Sequence, residues 1–349
     1  MRTSPFRRLI PAVAIAALAT ALVSGCSSSS PTSEESTASS AAAAEGEGVT
    51  EYPLTLESPW GETELEAIPE RIAVISLTTE DLDSLTALGI TPVYAVDSLV
   101  DAPWLTEEQA TALAETATSS DYDLHLEEVA ATEPDLIVTV ANTAGGIDQA
   151  MYDQLSAIAP VLAYPDEVTE DYSIGWQDSL TIIAEAVDRQ NRAKQIIDDV
   201  EADFAQARTD HPEFADAAAA FIVNYGAEYG VTFFSATGTN AASVLAELGF
   251  QPAPAAGDFV SDSTVSEELF STIDVDVLFI GENAEEGEHI TDNPLFQQLT
   301  VSQDKNYVEF SFGTESTNWA AWGLRSSSAQ NLPWIIEQLS TGAAEVLAN

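Results

Sequence analysis

Cysteine is almost absent from this chain of 349 residues: Cys26 is the only one, so no disulfide can form within it. Positive charge is scarce as well. Ten Lys and Arg stand against 58 Asp and Glu, a formal net charge of −48 at pH 7. No nucleic-acid partner is expected, because phosphate binding rests on clustered Lys and Arg. The three histidines, His125, His211 and His289, lie far apart, so the sequence offers no His/Cys cluster for a bare transition metal. Also missing are the G-x-S-x-G elbow, the G-x-x-x-x-G-K-[ST] phosphate loop, G-x-G-x-x-G after a strand, and H-E-x-x-H. A binding protein without a resident cofactor or metal is therefore expected, and a cleft hydrolase using scattered carboxylates is the enzyme-class alternative.

What is present begins at the N-terminus. Arg2, Arg7 and Arg8 precede an uncharged apolar stretch, Leu9 to Val23, that is short for a bilayer span. Leu22 to Cys26 reads L-V-S-G-C, which resembles the bacterial lipobox. Residues 1–25 are thus expected to be a lipoprotein signal peptide, and Cys26 the acylated first residue of the mature chain, held at the extracytoplasmic face of the cell membrane. From Ser27 to Glu51 the composition turns to Ser, Thr, Ala, Glu and Gly, with no aromatic residue before Tyr52. Such a segment cannot bury a core, so residues 26–51 read as a flexible tether. Removing the leader takes three cationic side chains and no acidic ones, leaving seven against 58, a net charge of −51.

The rest is α/β in pattern. Arg71 to Leu77 is a short apolar β-branched run, followed by T-T-E-D-L-D-S-L-T-A-L-G, which opens with hydroxyl and acidic caps and stops at Gly89. Further strands are expected at Pro92 to Val96 and Leu136 to Val140, with a helix over Glu127 to Thr132 between them. Alternation of this kind implies a parallel sheet. Between Trp176 and Pro212 there is neither Gly nor Pro, and apolar residues recur at three- and four-residue steps, so one long helix is expected over residues 176–211. Alternation then resumes: strand at Ala220 to Asn224, helix at Ala241 to Leu248, strand at Val275 to Ile280.

The second half echoes the first. L-G-I-T-P at Leu88 to Pro92 matches L-G-F-Q-P at Leu248 to Pro252, and E-P-D-L-I-V at Glu133 to Val138 matches D-V-D-V-L-F at Asp274 to Phe279. Glu127 lies eight residues before Asp135, and Glu268 eight before Asp276. The implied architecture is α/β with two Rossmann-like lobes, residues 52–175 and 212–349, joined by a single long helix, with a ligand cleft between the lobes.

At this point the chain resembles the helical-backbone class of periplasmic binding proteins that serve importers of iron siderophores, haem and cobalamin. The resemblance rests on P-E-R-I-A-V-I-S-L, L-E-E-V-A-A-T-E-P-D-L-I-V, the long central helix, V-S-E-E-L-F-S-T-I-D-V-D-V-L-F-I and the closing W-G-L-R-S-S-S-A-Q-N-L-P-W-I-I-E-Q-L. It implies a monomeric receptor that captures a ferric siderophore and delivers it to an ABC permease. A cobalamin or haem receptor of the same class stays open, as does an adhesin. It also implies that an acid in L-E-E-V and one in S-E-E-L, Glu127 and Glu268, dock on permease arginines, with Glu128 and Glu267 as one-residue alternatives.

A metal chelate is bulky and partly apolar, so its site should mix aromatic faces with a few polar groups. Candidates at strand ends and loops are Thr78, Asp97, Trp104 and Asn142 in the first lobe, and Tyr225, Tyr229, Trp319, Trp322 and Arg325 in the second. Of the seven mature cations, Arg71 opens a strand and Arg189, Arg192, Lys194 and Arg208 belong to the long helix. Lys305 and Arg325 remain, and Arg325 sits among tryptophans and serines where its fork could donate to a hydroxamate or carboxylate chelate. With so few cations near the cleft, weakly charged ferric hydroxamates are expected to bind better than ferric catecholates.

Overall fold

Gly89 and Gly249 show how the sequence folds locally, because each ends a helix in the left-handed region, with φ of 78° and 106°. In both, the next residue's N–H reaches back to close the last turn: Ile90 to the Leu85 carbonyl at 2.9 Å and Phe250 to that of Leu245 at 3.1 Å. Glycine is needed there because a Cβ would strain that backbone. The two glycines mark equivalent places in two lobes of this computed structural model. It describes residues 48–76, 78–96, 100–119, 124–141, 147–165, 174–226, 228–260, 263–283, 289–312 and 319–348.

The N-terminal lobe opens with a hairpin, β1 (Leu54–Ser58) and β2 (Gly61–Leu65). There follow β3 (Ile72–Val74), α1 (Glu80–Ala87), β4 (Tyr94–Ala95), α2 (Glu107–Leu113), β5 (Ala117–Thr118), α3 (Leu126–Ala131), β6 (Leu136–Thr139), α4 (Gln149–Ser156) and β7 (Val161–Ala163). The sheet order is β5-β4-β3-β6-β7, with every neighbouring pair parallel. Strands β3, β4, β6 and β7 are buried on both faces, as their apolar runs require, whereas edge strand β5 is exposed.

The connector is not the single helix expected over residues 176–211. It comprises α5 (Trp176–Ala186) and α6 (Gln190–Asp210). Asp188 separates them in the left-handed region at φ 54°, and the Arg189 N–H closes on the Ala184 carbonyl at 2.8 Å, the same stop that glycine makes elsewhere. Aspartate enters that conformation at lower cost than most residues because its short polar side chain bonds locally. Asp188 Oδ1 accepts from the Thr50 N–H at 3.0 Å, while Thr50 Oγ1 donates to the Glu185 carbonyl and the Tyr52 hydroxyl to that of Ala186. Residues 49–51, expected to belong to the flexible tether, are therefore pinned across this break.

The C-terminal lobe runs β8 (Ala218–Asn224), β9 (Val231–Phe233), α7 (Asn240–Glu247), β10 (Gln251–Pro252), β11 (Ser263–Val265), β12 (Val277–Asn283), α8 (Thr300–Gln303), β13 (Tyr307–Phe312), α9 (Trp319–Arg325) and α10 (Leu332–Leu347). Its sheet order is β11-β9-β8-β12-β13; β8, β12 and β13 are parallel, and β9 is antiparallel to both its neighbours. One face of this sheet, with Phe221 and Phe279, joins a core that continues through α5, α6 and α10 into the first lobe. The other, with Ile222, Ile280 and Phe233, covers a separate core.

The sequence echo is structural. Asp135 accepts from the Glu70 and Arg71 N–H groups at 2.9 and 2.8 Å, and Asp276 accepts from the Ala218 N–H at 2.8 Å. Each aspartate thus starts one strand while clamping the start of its parallel neighbour, β3 in one lobe and β8 in the other. No described helix is long and apolar enough to cross a membrane.

Candidate functional site

The first turn of α1 is T-T-E-D-L-D, which in sequence looks like an exposed acidic cap. The structure turns it inward. Asp81 and Asp83 are both fully buried, and each makes a different joint. Asp81 accepts from Ser76 Oγ at the end of β3, from the Ala141 N–H after β6 at 3.1 Å, and from Ser179 Oγ of α5 at 3.5 Å. Asp83 accepts from Trp104 Nε1 at 3.1 Å and, from the other lobe, Ser328 Oγ at 2.7 Å and Asn331 Nδ2 at 3.4 Å. Gln330 adds a bond across the same seam, to the Trp104 carbonyl at 3.1 Å. Burial pushes the Asp83 carboxyl up to about 7, its hydrogen bonds to Ser328 and Trp104 opposing the shift, and raises Asp81 too.

Glu80, between these joints and the opposite lobe, keeps a sliver of exposure by surface area yet lies deep enough that burial raises its pKa to about 7. Thr78 lies close enough to oppose that shift by hydrogen bonding, though among the described residues neither its hydroxyl nor Glu80 Oε2 has a partner of good geometry, and the Thr79 hydroxyl is likewise enclosed without one. Buried polar atoms left unpaired cost about 1–3 kcal/mol each, so this helix start carries spare hydrogen-bonding capacity. Arg325 belongs to the same region, since its charge bears on Glu80. The guanidinium lies 5.1 Å from the Phe234 ring centre and 5.9 Å from that of Trp322, resting on aromatic faces while the side chain stays exposed.

The expected site residues divide accordingly. Thr78 lies at the start of α1, and Arg325 lies over Trp322 with its charge reaching Glu80. Trp104 is buried, packs at 5.2 Å against Trp319 and 5.9 Å against Trp334, and has its indole N–H committed to Asp83, so it holds the seam together. Trp319 shares that stack, half-buried. Tyr225 packs half-buried against the first core, and Tyr229 stands exposed in the turn from β8 to β9. Asp97, Asn142 and Cys26 lie outside the described residues. Lys305, the other unassigned cation, is an exposed left-handed residue at φ 59° ending α8. Residue patterns did not single out Glu80, Asp83, Phe234, Ser328 or Asn331. No signal in the sequence could have found them: Glu80, Asp81, Asp83 and Ser84 read as a solvated polar face, yet α1 is buried from Asp81 to Ala87.

Glu127 and Glu128 are exposed in the first turn of α3. Glu267 and Glu268 are exposed at the start of a 3₁₀ helix, where Glu267 accepts from Asn293 Nδ2 at 2.7 Å. A cavity of about 510 Å³ in the C-terminal lobe, at the end of β8, is lined by residues including Asn224, Phe270 and His289 and does not include Arg325 or Glu80.

A fold of two α/β lobes with a polar, aromatic-walled seam defines a binding protein, and residues 74–310 match the family described as "Periplasmic binding protein". The chain belongs to that family. It is 28% identical over 335 residues to the Fe(3+)-citrate-binding protein YfmC of Bacillus subtilis (strain 168), covering 92% of this chain and 94% of that one. It is 27% identical over 260 residues to the probable siderophore-binding lipoprotein YfiY of the same organism, 70% and 76% covered. Among solved structures, PiaA from Streptococcus pneumoniae TIGR4 in complex with ferrichrome aligns with a TM-score of 0.68 at 24% identity, covering 84% of this chain and 98% of that one. The family and these relatives are binding proteins and not enzymes.

Proposed function

We propose that this protein is the extracytoplasmic substrate-binding component of an ABC importer, capturing a ferric siderophore between its lobes. The observation that carries this reading is a cation laid on Phe234 and Trp322 whose charge reaches Glu80 at the enclosed polar start of α1. Aromatic faces suit a bulky chelate, and the guanidinium can donate to a chelating oxygen. The names of the curated relatives and the ferrichrome complex of PiaA support the ligand class. A hydroxamate chelate is favoured, because the Arg325 charge already bears on Glu80 and the mature chain is strongly acidic, so a multiply anionic ligand meets one cation and much repulsion. Ferric citrate is the second reading, favoured by the relation to YfmC.

Titrating the mature protein with ferric hydroxamates, ferric catecholates, ferric citrate, haem and cobalamin, followed by tryptophan fluorescence, separates these readings. Tightest binding of a hydroxamate is the expected result, weakened by about 1–3 kcal/mol in Arg325→Ala. Preferential binding of a tris-catecholate, or no binding of any iron chelate, would sink the reading. Lipid anchoring through Cys26 belongs to the same proposal, and Cys26→Ala should release the protein from the membrane fraction, since stable anchoring needs two acyl chains.

A further inference from the structure

We propose that Glu282, His289 and Glu309 form a binding site for a divalent first-row transition cation, Zn²⁺ in the first instance, on the face of the C-terminal sheet that carries Ile222 and Ile280. One potential ligand atom from each residue lies within 4.8 Å of the other two, and His289 Nδ1 is 3.7 Å from Glu282 Oε1. The fold builds this proximity. Glu309 on β13 pairs with Ile280 on β12, two residues before Glu282, so both carboxylates project from the same sheet face. That face is the one carrying Ile222 and Ile280, away from Phe221 and Phe279, so the cluster is separate from the ground around Arg325. His289 is held over it by the short 3₁₀ turn Ile290–Asp292, whose Ile290 is buried in the core on that face.

Glu282 is the anomaly that calls for a cation. It is 1% exposed, and taking a carboxylate out of water costs several kcal/mol unless a positive charge and hydrogen bonds compensate. The hydrogen bonds are present: Asn224 Nδ2 donates to Oε1 at 2.6 Å and the Ile290 N–H to Oε2 at 3.3 Å. Asn224 is itself oriented, its Oδ1 accepting from the Gly226 N–H at 3.1 Å. These bonds leave a lone pair on each carboxylate oxygen and fix the group as outer partners fix a metal-ligating carboxylate. The compensating charge is what is thin. Among the described residues, the basic side chain beside Glu282 is His289, itself 41% exposed, while Glu309 repels it.

The donor set points to the ion. One imidazole and two carboxylates suit Zn²⁺, Co²⁺ or Mn²⁺ better than Mg²⁺ or Ca²⁺, which take oxygen throughout. Ligands at about 2.0–2.2 Å from one tetrahedral ion stand roughly 3.3–3.6 Å apart, so ligand atoms now within 4.8 Å of one another need to close by up to about 1.5 Å. His289 is partly and Glu309 more fully accessible to solvent, and the cavity beside Asn224 and His289 gives an approach and room for water in the open positions.

The test uses the mature protein stripped with chelator, with calorimetry and thermal unfolding in Zn²⁺ and, separately, Mg²⁺. One Zn²⁺ per chain should bind and raise Tm, and both effects should fall at least tenfold in apparent affinity in H289A and in E309Q, two solvent-accessible positions whose variants should retain the parental circular dichroism. Co²⁺ should develop visible absorption bands with the parent and lose them with H289A. Equal Zn²⁺ binding by parent and both variants, a Tm rise from Mg²⁺ as large as that from Zn²⁺, or no Zn²⁺ binding by the parent up to about 1 mM, where binding energy falls to about 4 kcal/mol, overturns the proposal. None of these readouts involves an iron chelate, so its outcome is independent of the siderophore reading.

Discussion

The two lobes share their framework and differ in what they bring to the seam. Both end a helix with a left-handed glycine, and both clamp a neighbouring strand with an aspartate. In the N-terminal lobe, however, β3 feeds directly into a helix whose first turn carries three acids inward, Glu80, Asp81 and Asp83. In the C-terminal lobe β8 first turns back into the antiparallel β9, and the following segment offers Phe234 as a platform for Arg325. One lobe therefore contributes buried carboxyls and the other aromatic faces and the cation. Repeating a fold does not repeat its chemistry, because chemistry sits where strands end, and one inserted hairpin changes which side chains those ends present.

The strongest way to break this asymmetry is at Asp83. Asp83→Ala would leave Trp104 Nε1, Ser328 Oγ and Asn331 Nδ2 without their acceptor in a dry seam, and is expected to lower stability by about 3 kcal/mol in urea unfolding. Asp83→Asn sharpens the same point. The folded chain holds a proton on this group up to about pH 7, whereas the unfolded chain releases it near 3.8, so the stability it contributes is full below about pH 4 and lost as pH rises to about 7. Between pH 5.5 and 8 the parent should therefore lose about 2 kcal/mol more stability than Asp83→Asn. An identical pH slope for the two proteins would show that Asp83 is ionised in the folded state.

A smaller effect compares the two strand clamps. Asp135 accepts two backbone N–H groups and Asp276 one, both at exposed positions, so Asp135→Ala should cost about 1 kcal/mol and Asp276→Ala about half of that. A reversed order would mean that the clamps are not equivalent. The smallest change in stability, within about 0.5 kcal/mol, is expected for Glu127→Lys combined with Glu268→Lys, because both are exposed. If these acids dock the lobes on a permease, that variant should keep ligand affinity and lose uptake. Normal uptake at normal expression would remove the docking role.

Much of the framework was legible because it depends on short-range rules. Apolar runs gave β3, β6, β8 and β12, and Gly89 and Gly249 gave helix ends. The break between α5 and α6 was not legible, since Asp188 takes the left-handed role usually assigned to glycine and nothing in its neighbours signals it. Nor was the burial of Asp81 and Asp83: acids opening a helix ordinarily face water, and only partners from residues 141, 179, 328 and 331 make burial tolerable.

By itself the sequence determined the alternation of elements, the twofold echo and the excess of acid over base, all of which follow from local periodicity and composition. Tertiary structure decided which of the acids are buried, which cation lies on aromatic rings, and that Trp104 joins the lobes. The physical reason is that burial and charge compensation are properties of groups far apart in the chain: Asp83 and Ser328, or Glu282 and Glu309, acquire their chemistry only when packing brings them together.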